Sequence, residues 1–164
     1  MVYYYYLKIP SLKKTFGIAK NKSGVCSITF TYNEKLYVKT LTEYYGEEVV
    51  KSKAKLEKDI KQVQEYFAGK RKSFDMHVFL KGTKFQTQVW LEISKLKFGE
   101  TISYSELAKR LKNKGAVRAV GSACGRNPVP VVIPCHRVLA KNSLGGFGGG
   151  IELKKKMLKL ENIL

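Results

Sequence analysis

The chain has 164 residues, of which 44% are hydrophobic and 12% aromatic, and its 31 Lys and Arg against 13 Asp and Glu give a net charge of +18. This composition excludes an intrinsically disordered chain, because the apolar residues suffice for a core. It also excludes a membrane-spanning chain, since no apolar run approaches the ~20 residues that a bilayer crossing needs. Three cysteines without a C-x-x-C pair encode neither a disulfide framework nor a standard zinc site.

The positive charge favours a polyanionic partner, because each Lys or Arg placed on a phosphate releases condensed counterions. An ordinary solvated surface is the alternative, since 26 of the 31 basic residues are Lys. Residues 76–164 carry a net +11 and residues 1–75 a net +7, so the excess lies toward the C-terminal half. The N-terminus shows no secretory signal pattern, and we expect a cytoplasmic protein with reduced thiols.

Two domains are predicted. Residues 1–75 have the pattern of a small α/β domain, residues 76–164 that of a second domain, and a linker is expected at about 69–84 because that stretch has no sustained period. The tyrosine tract 3–6 alternates as a strand does, and a short strand is expected at 76–80.

Inside the N-terminal domain, residues 25–30 and 35–41 are short and rich in β-branched and aromatic side chains. This predicts an antiparallel pair of strands joined by a turn at 32–34. The stretch 49–67 changes to helical spacing, and Gly69 is expected to end that helix.

From Phe85 onward the apolar spacing predicts helices. One stripe is formed by Phe85, Val89, Trp90, Ile93 and Leu96. Further on, Ser103 and Glu106 have the S-x-x-E spacing of a capping box and are flanked by apolar residues. A helix is therefore predicted with Ser103 as its cap and Tyr104 as its first residue.

This helix is predicted to end near Lys112, before a turn at 113–115. A second helix should run from Ala116 to about Cys124, with Ala119, Val120 and Ala123 on its packed side. Two short helices across a Gly-containing turn predict a helix-turn-helix, although other helical hairpins have the same pattern.

Residues 104–141 carry eight basic side chains against the single acid Glu106. The small residues of the second helix would let its backbone approach DNA closely. Arg118, near the start of that helix, is either a DNA contact or a solvated side chain.

The segment 126–138 carries the reactive chemistry. Its three prolines in seven positions exclude a helix or a central strand and predict a stiff, extended run. Cys135 follows, beside His136 and Arg137, two groups able to favour the nucleophilic thiolate. Because neighbouring side chains diverge in an extended chain, His136 can act on Cys135 only across a turn or through a water.

The C-terminal tail, 152–164, is predicted to be an amphipathic helix, and Glu161 lies next to its apolar stripe. We expect Leu153, Met157, Leu160 and Leu164 to face inward, and the lysines to lie mostly outward, these being Lys154, Lys155, Lys156 and Lys159. The glycine-rich stretch 144–150 fits no nucleotide fingerprint and is interpreted as a pliant wall of the reactive site.

A helix-turn-helix followed by Arg-Asn-Pro-Val-Pro at 126–130 and Ile-Pro-Cys-His-Arg-Val at 133–138 resembles the O6-alkylguanine-DNA alkyltransferases, also called methylated-DNA-protein-cysteine methyltransferases. The resemblance covers roughly residues 85–164. It implies an N-terminal ribonuclease H-like α/β domain and a helical C-terminal domain with a winged-helix-like helix-turn-helix. It also implies DNA repair by suicide transfer of an alkyl group, such as methyl, from guanine O6 to a cysteine.

The resemblance assigns roles to individual residues. Cys135 would accept the alkyl group, His136 would take the thiol proton through a water, and Glu161 would hold the imidazole. Tyr104 would donate a proton to the departing guanine, and Asn127 would tie the second helix to the active-site segment. DNA contacts are expected from Arg118, which would fill the stack vacated by the flipped base, and from Ala116, Ala119, Gly121, Ser122, Arg126 and Arg137.

The lesion pocket is expected to be bordered by Tyr104, Pro130, Phe147, Gly148 and Gly149. No cofactor and no structural zinc are expected, since Cys26 and His77 are the only N-terminal candidates for metal ligands. The implied partner is double-stranded DNA containing O6-alkylguanine. The protein is expected to act as a monomer, and no membrane partner is expected. A lesion-binding module without chemistry and a thiol hydrolase using Cys135 and His136 remain as alternatives.

Overall fold

A computed structural model of the chain describes residues 1–12, 14–30 and 33–164. It divides into two compact units, Met1–Leu80 and Lys81–Leu164. Within this described part, no helix is long and apolar enough to cross a membrane.

Unit 1 is built on a mixed sheet. Its described strands are β1 (Val2–Ile9), β2 (Lys14–Asn21), β3 (Gly24–Thr29) and β4 (Val49–Lys51), in the order β3-β2-β1-β4. β1 pairs antiparallel with β2 and parallel with the short edge strand β4. The strand predicted for the tyrosine tract is therefore confirmed.

Two helices, α1 (Glu34–Tyr45) and α2 (Glu57–Phe67), accompany this sheet. Tyr4 packs in a cluster with Tyr37 of α1. Phe16 is fully buried and contacts Phe30, which contacts Phe67 of α2. Because side chains alternate between the two faces of a strand, Tyr4 packs toward α1, and Phe16 packs through Phe30 toward α2.

The strand predicted at 35–41 is wrong, because this stretch lies within α1. Asn33 caps the helix by accepting a hydrogen bond from the Leu36 amide, and Gly46 ends it in the left-handed region with φ +65°. These two terminal signals outweigh the strand propensity of the β-branched and aromatic residues. The predicted turn includes Tyr32, which lies outside the described residues.

The helix predicted at 49–67 is correct only from Glu57, since residues 49–51 form β4 and 54–56 a 3-10 turn. The segment expected to form a strand at 76–80 makes one parallel bridge, from Val78 to Val25. Neither difference changes the class of the unit, a sheet with helices.

Unit 2 is mainly helical. Its helices are α3 (Lys84–Ser94), α4 (Tyr104–Arg110), α5 (Val117–Gly125) and α6 (Ile151–Leu160). A short parallel ladder joins β5 (Ile102–Ser103) to β6 (Val138–Leu139). The chain as a whole therefore combines a mixed α/β unit with a helical one.

The start of α4 is confirmed. Ser103 is its N-cap and accepts a hydrogen bond from the Glu106 amide at 3.1 Å, and Tyr104 is its first residue. The helix ends at Arg110, and Lys112 turns the chain with φ +56° toward α5. In α5, Val120 and Ala123 are buried as predicted, but Ala119 is exposed.

Trp90 fixes α5 against α3. The indole is 2% exposed, and its Nε1–H donates a hydrogen bond of 2.8 Å to the carbonyl of Ala123. Gly82 lies against the same ring, because a Cβ there would come within 2.6 Å of it. The Trp90 side chain thus holds α5, the helix that directly precedes the segment 126–138.

Replacing Trp90 with Phe should lower the free energy of unfolding by about 1–3 kcal/mol, because a buried hydrogen bond and part of the packed ring are lost. Urea denaturation of the whole chain measures the change. Leu91→Ala on the same helix is the matched control, since Leu91 is 52% exposed. A cost for Trp90→Phe no larger than that of the control would contradict the role given to the indole.

Candidate active site

Cys135 begins a 3-10 turn, Cys135–Arg137, directly after Pro134. The Arg137 amide donates to the Pro134 carbonyl at 2.9 Å and closes the turn. The side chains of Cys135, His136 and Arg137 are all buried. The stiff proline segment therefore leads into a closed turn that buries three consecutive side chains.

The β5–β6 ladder brings Tyr104 to this turn. Val138, which follows the turn, pairs with Ile102, and Leu139 pairs with Ser103. Since Ser103 caps α4, the next residue, Tyr104, is fixed beside the Cys135 segment. Two paired residues on each strand are enough to join parts of the chain more than thirty positions apart.

A cavity of about 250 Å³ opens beside Cys135. Cβ atoms added at Gly125, Gly146 or Gly148 would meet nothing within 4 Å, so these glycines leave the cavity open. A Cβ at Gly145, where φ is +72°, would lie 2.9 Å from the Tyr104 ring, so the loop backbone packs against that ring. The cavity is lined by Tyr104, Gly121, Cys124, Gly125, Cys135, Gly146, Phe147 and Gly148.

Asn127 links the end of α5 to Cys135. Its Nδ2 donates to the Ile133 carbonyl at 2.7 Å and to Cys135 Sγ at 3.1 Å. Its Oδ1 accepts from the Val129 amide at 3.0 Å. A single amide thus spans the proline segment and holds the sulfur in place.

Behind Cys135 lies a buried polar network centred on Glu161. His136 Nε2 is 2.7 Å from Glu161 Oε1. Arg137 donates to both carboxylate oxygens, at 2.8 and 3.0 Å, and also to the Leu96 carbonyl at 2.6 Å. The Gly99 amide donates to Oε2 at 3.1 Å. The carboxylate is therefore paired with a cation and oriented toward the imidazole.

Burial sets the protonation of the site. It raises the pKa of the Cys135 thiol, which the Asn127 hydrogen bond and the charge of Lys154 oppose. It lowers the pKa of His136, which the hydrogen bond to Glu161 opposes. It also raises the pKa of Tyr104. At neutral pH the cavity is therefore lined by a thiol and a phenol, with a neutral imidazole buried next to the thiol in the chain, and these groups can serve as nucleophile, proton donor and proton acceptor.

The exposed face of α5 carries the residues expected to contact DNA. Ala116 is the N-cap of the helix, and Gly121 faces the cavity. The remaining residues of this set on α5 and its C-cap are exposed, namely Arg118, Ala119, Ser122 and Arg126. The exposure of Ala119 thus adds a small residue to this face.

Arg137 does not belong to that face. The residue is only 5% exposed, and its guanidinium is bound to Glu161 and to a backbone carbonyl. The expected DNA contact is wrong for this position, because reaching a phosphate would require breaking a buried ion pair.

Two residues expected at the pocket are also placed elsewhere. Pro130 forms a bridge with Ile133 and does not line the cavity. Gly149 packs toward Leu153 and Phe147, because a Cβ there would lie 2.7 Å from the Leu153 side chain. Phe147 and Gly148 do line the cavity, as expected.

The sequence interpretation missed Lys154 and Cys124. Lys154 was expected to lie outward on α6 but is fully buried. Lys154 lies three, four and seven residues before Met157, Leu158 and Glu161, so all four share one helix face. This spacing was the signal that could have indicated a buried lysine. Cys124 was named only as the approximate end of the second helix, but it lines the same cavity as Cys135.

Among the residues that the structure describes, no group of three His, Cys, Asp or Glu side chains could hold a metal ion.

Comparison with known proteins identifies the family. Residues 84–163 match the model of the 6-O-methylguanine DNA methyltransferase, DNA binding domain. The inducible methylated-DNA–protein-cysteine methyltransferase of Bacillus subtilis is 42% identical over 78% of this chain and 72% of its own length. A methylated-DNA–protein-cysteine methyltransferase of Methanosarcina mazei is 46% identical over 61% of this chain and 64% of its own length.

Structural similarity extends over both units. The crystal structure of Mycobacterium tuberculosis OGT in complex with DNA has a TM-score of 0.83 and 31% identity, covering 97% of this chain and 92% of that one. The match thus includes the N-terminal unit, which lies outside the resemblance noted at residues 85–164. The chain belongs to the methylated-DNA–protein-cysteine methyltransferase family.

Proposed function

We propose that this protein repairs DNA by moving the alkyl group of O6-alkylguanine onto Cys135 in a single, irreversible step. The observation that carries the proposal is the position of Cys135 at a cavity, beside the buried His136–Glu161 pair and across from Tyr104. The cavity is about 250 Å³, which leaves room for one nucleobase with a small substituent.

The step begins with removal of the thiol proton. The Nε2–H of His136 donates to Glu161, so Nδ1 is the basic nitrogen and takes the proton of Cys135 through a water. Glu161 stabilises the imidazolium that forms, and Arg137 in turn balances the carboxylate. This arrangement keeps the base neutral and ready until the substrate arrives.

In the transfer itself, the sulfur of Cys135 forms a bond to the alkyl carbon while the bond from that carbon to guanine O6 breaks. The electron pair of the broken bond stays with the base, and Tyr104 donates the proton that neutralises it. The products are a thioether and ordinary guanine. Since a thioether has no good leaving group, the proposal includes one transfer per protein molecule.

The substrate is double-stranded DNA with the damaged base flipped out, because the alkyl carbon inside a duplex cannot be approached in line. The exposed face of α5, with its small residues and Arg118, would enter the minor groove as part of a winged-helix-like domain, with Arg118 filling the vacated stack. The N-terminal unit would have the ribonuclease H-like fold. We propose a monomer as the acting form.

Incubation with DNA containing O6-methylguanine should place one methyl group on the peptide that contains Cys135. The peptides with Cys26 and Cys124 are the internal controls and should stay unmodified, because burial raises the pKa of those thiols to about 11 and about 12. Peptide mass spectrometry gives the stoichiometry. Cys135→Ser should abolish transfer, and more than one methyl released per protein would instead indicate a turnover hydrolase.

Arg118→Ala should slow transfer from duplex DNA about tenfold or more, because the vacated stack is left empty, and should slow transfer from single-stranded DNA much less. The two substrates are compared by single-turnover kinetics. Lys159→Ala removes an exposed charge from α6 and serves as the control for charge loss. Equal losses on both substrates would show that Arg118 contributes only general phosphate attraction.

The neutral state of His136 can be tested through stability. Its pKa is lowered by burial in the folded protein, so below the unfolded value near 6.5 the unfolded chain binds the proton preferentially. Between about pH 7.5 and about pH 5.5, wild type should lose about 1 kcal/mol more unfolding free energy than His136→Gln. Urea denaturation at both pH values measures this, and equal losses would argue against a neutral buried imidazole.

A further inference from the structure

Two of the three cysteines share the candidate active site. Cys124 and Cys135 both line the cavity, and all three cysteines are free thiols. Cys124 lies in the last turn of α5, one residue before Gly125, and is 6% exposed, as is Cys135. The proposed transfer uses only Cys135, so Cys124 is a buried nucleophile for which that reaction has no use.

Asn127 contacts both of these residues. Its backbone N–H donates to the Cys124 carbonyl at 3.2 Å, and its side-chain Nδ2 donates to Cys135 Sγ at 3.1 Å. After burial, the next cause that raises the pKa of Cys124 is the charge of Cys135, and both thiols act in the same way on Tyr104. The two cysteines are therefore neighbours across one cavity, although eleven positions separate them in the chain.

A cysteine that is used once is vulnerable to oxidation. Its thiolate attacks a peroxide to give a sulfenic acid, and further peroxide converts this irreversibly to the sulfinic and sulfonic acids. A second thiol nearby traps the sulfenic acid as a disulfide, which thiol reductants reverse. Because the proposed repair consumes one protein molecule per lesion, each Cys135 lost to irreversible oxidation removes one repair event.

We propose that Cys124 is the resolving thiol of Cys135, and that a peroxide closes a reversible disulfide between the two across the cavity. The Cys135 sulfur forms a bond to one peroxide oxygen while the O–O bond breaks, and the other oxygen takes the thiol proton and leaves as water. The Cys124 sulfur then attacks the sulfenic sulfur, and its proton leaves with the hydroxyl group as a second water. Peroxide is the two-electron oxidant, and the two thiols supply the electrons.

The surroundings of the two thiols agree with this order of steps. Burial raises the pKa of Cys124 to about 12, so this thiol is slow toward dissolved peroxide, whereas His136 activates Cys135 in the proposed function. Peroxide therefore reacts first at Cys135. A disulfide brings the two sulfurs to about 2 Å. A Cβ added at Gly125 would meet nothing within 4 Å, so the last turn of α5 has space to adjust.

This inference rests on the proposed function for the activation of Cys135 and for the benefit of protecting it. Closure of the disulfide needs no DNA, so it can be measured separately from alkyl transfer.

The test treats the whole protein with hydrogen peroxide and maps its thiols by tryptic mass spectrometry without reduction. Trypsin cleaves after Arg118, Arg126 and Arg137, so Cys124 and Cys135 fall on separate peptides, 119–126 and 127–137. A disulfide joins these two peptides with the loss of two hydrogens. The joined peptide should be the main oxidation product of the wild type and should disappear when dithiothreitol is added.

Cys124→Ala and Cys124→Ser both remove the resolving thiol, and the pair covers a failure of either variant to fold. In both, the fraction of Cys135 that reaches sulfinic or sulfonic acid should be roughly threefold that of the wild type or more, because nothing traps the sulfenic acid. Cys26→Ala is the matched control, since Cys26 is a buried thiol in the other unit. It should still form the disulfide between 124 and 135.

Absence of the joined peptide in the wild type overturns the inference, whether Cys135 is then unmodified, oxidised alone or linked to a second molecule. The last case is recognised as a dimer on a non-reducing gel. Equal irreversible oxidation of Cys135 in the wild type and in a folded Cys124 variant overturns it as well.

Methyl transfer from O6-methylguanine DNA provides the second arm. The wild type should lose transfer after peroxide and regain it after dithiothreitol, and Cys124→Ala should regain a smaller share of its own starting value. A loss in the wild type that the reductant does not restore contradicts the inference. A protein that takes no methyl even before oxidation ends the proposed function and leaves the peptide result intact.

Discussion

The buried carboxylate of Glu161 is the constraint on which the second unit depends. It accepts hydrogen bonds from His136, Arg137 and the Gly99 amide, and its side chain has no exposed surface. Removing one partner from such a network typically costs about 3–5 kcal/mol, because the remaining charge is left uncompensated. The end of α6, the Cys135 turn and the loop before β5 are therefore held in one arrangement.

That arrangement also decides which protons can move. Because Glu161 engages Nε2 of His136, the basic lone pair lies on Nδ1, and the tautomer is fixed by the fold rather than by the substrate. Arg137 balances the carboxylate, so the imidazole does not need to be charged at rest. Lys154, a further buried cation of this unit, is bound by the carbonyls of Val138 and Gly146.

Features set by residues close together in the sequence could be predicted, whereas features set by contacts between distant residues could not. The start of α4 followed from Ser103 and Tyr104 because capping involves neighbours three residues apart. Helix α1 was missed because its strand-forming residues are overruled by caps at its two ends. Lys154 and Arg137 were placed on the surface because a helix or turn does not reveal which partner lies opposite. Lys154 is in fact bound by the Val138 carbonyl and Arg137 by the Glu161 carboxylate.

Most enzymes must return to their starting state after each reaction, and a protein that reacts once need not. In the proposed reaction the product thioether stays attached, so the Cys135 segment never has to release it or return to its first state. Cys135 can accordingly be held by Asn127, by a closed turn and by the β5–β6 ladder without a moving part. Only the repaired base must leave, and it leaves with the DNA. The cavity in which the base would lie is lined in part by glycines, which place no side chain in its way.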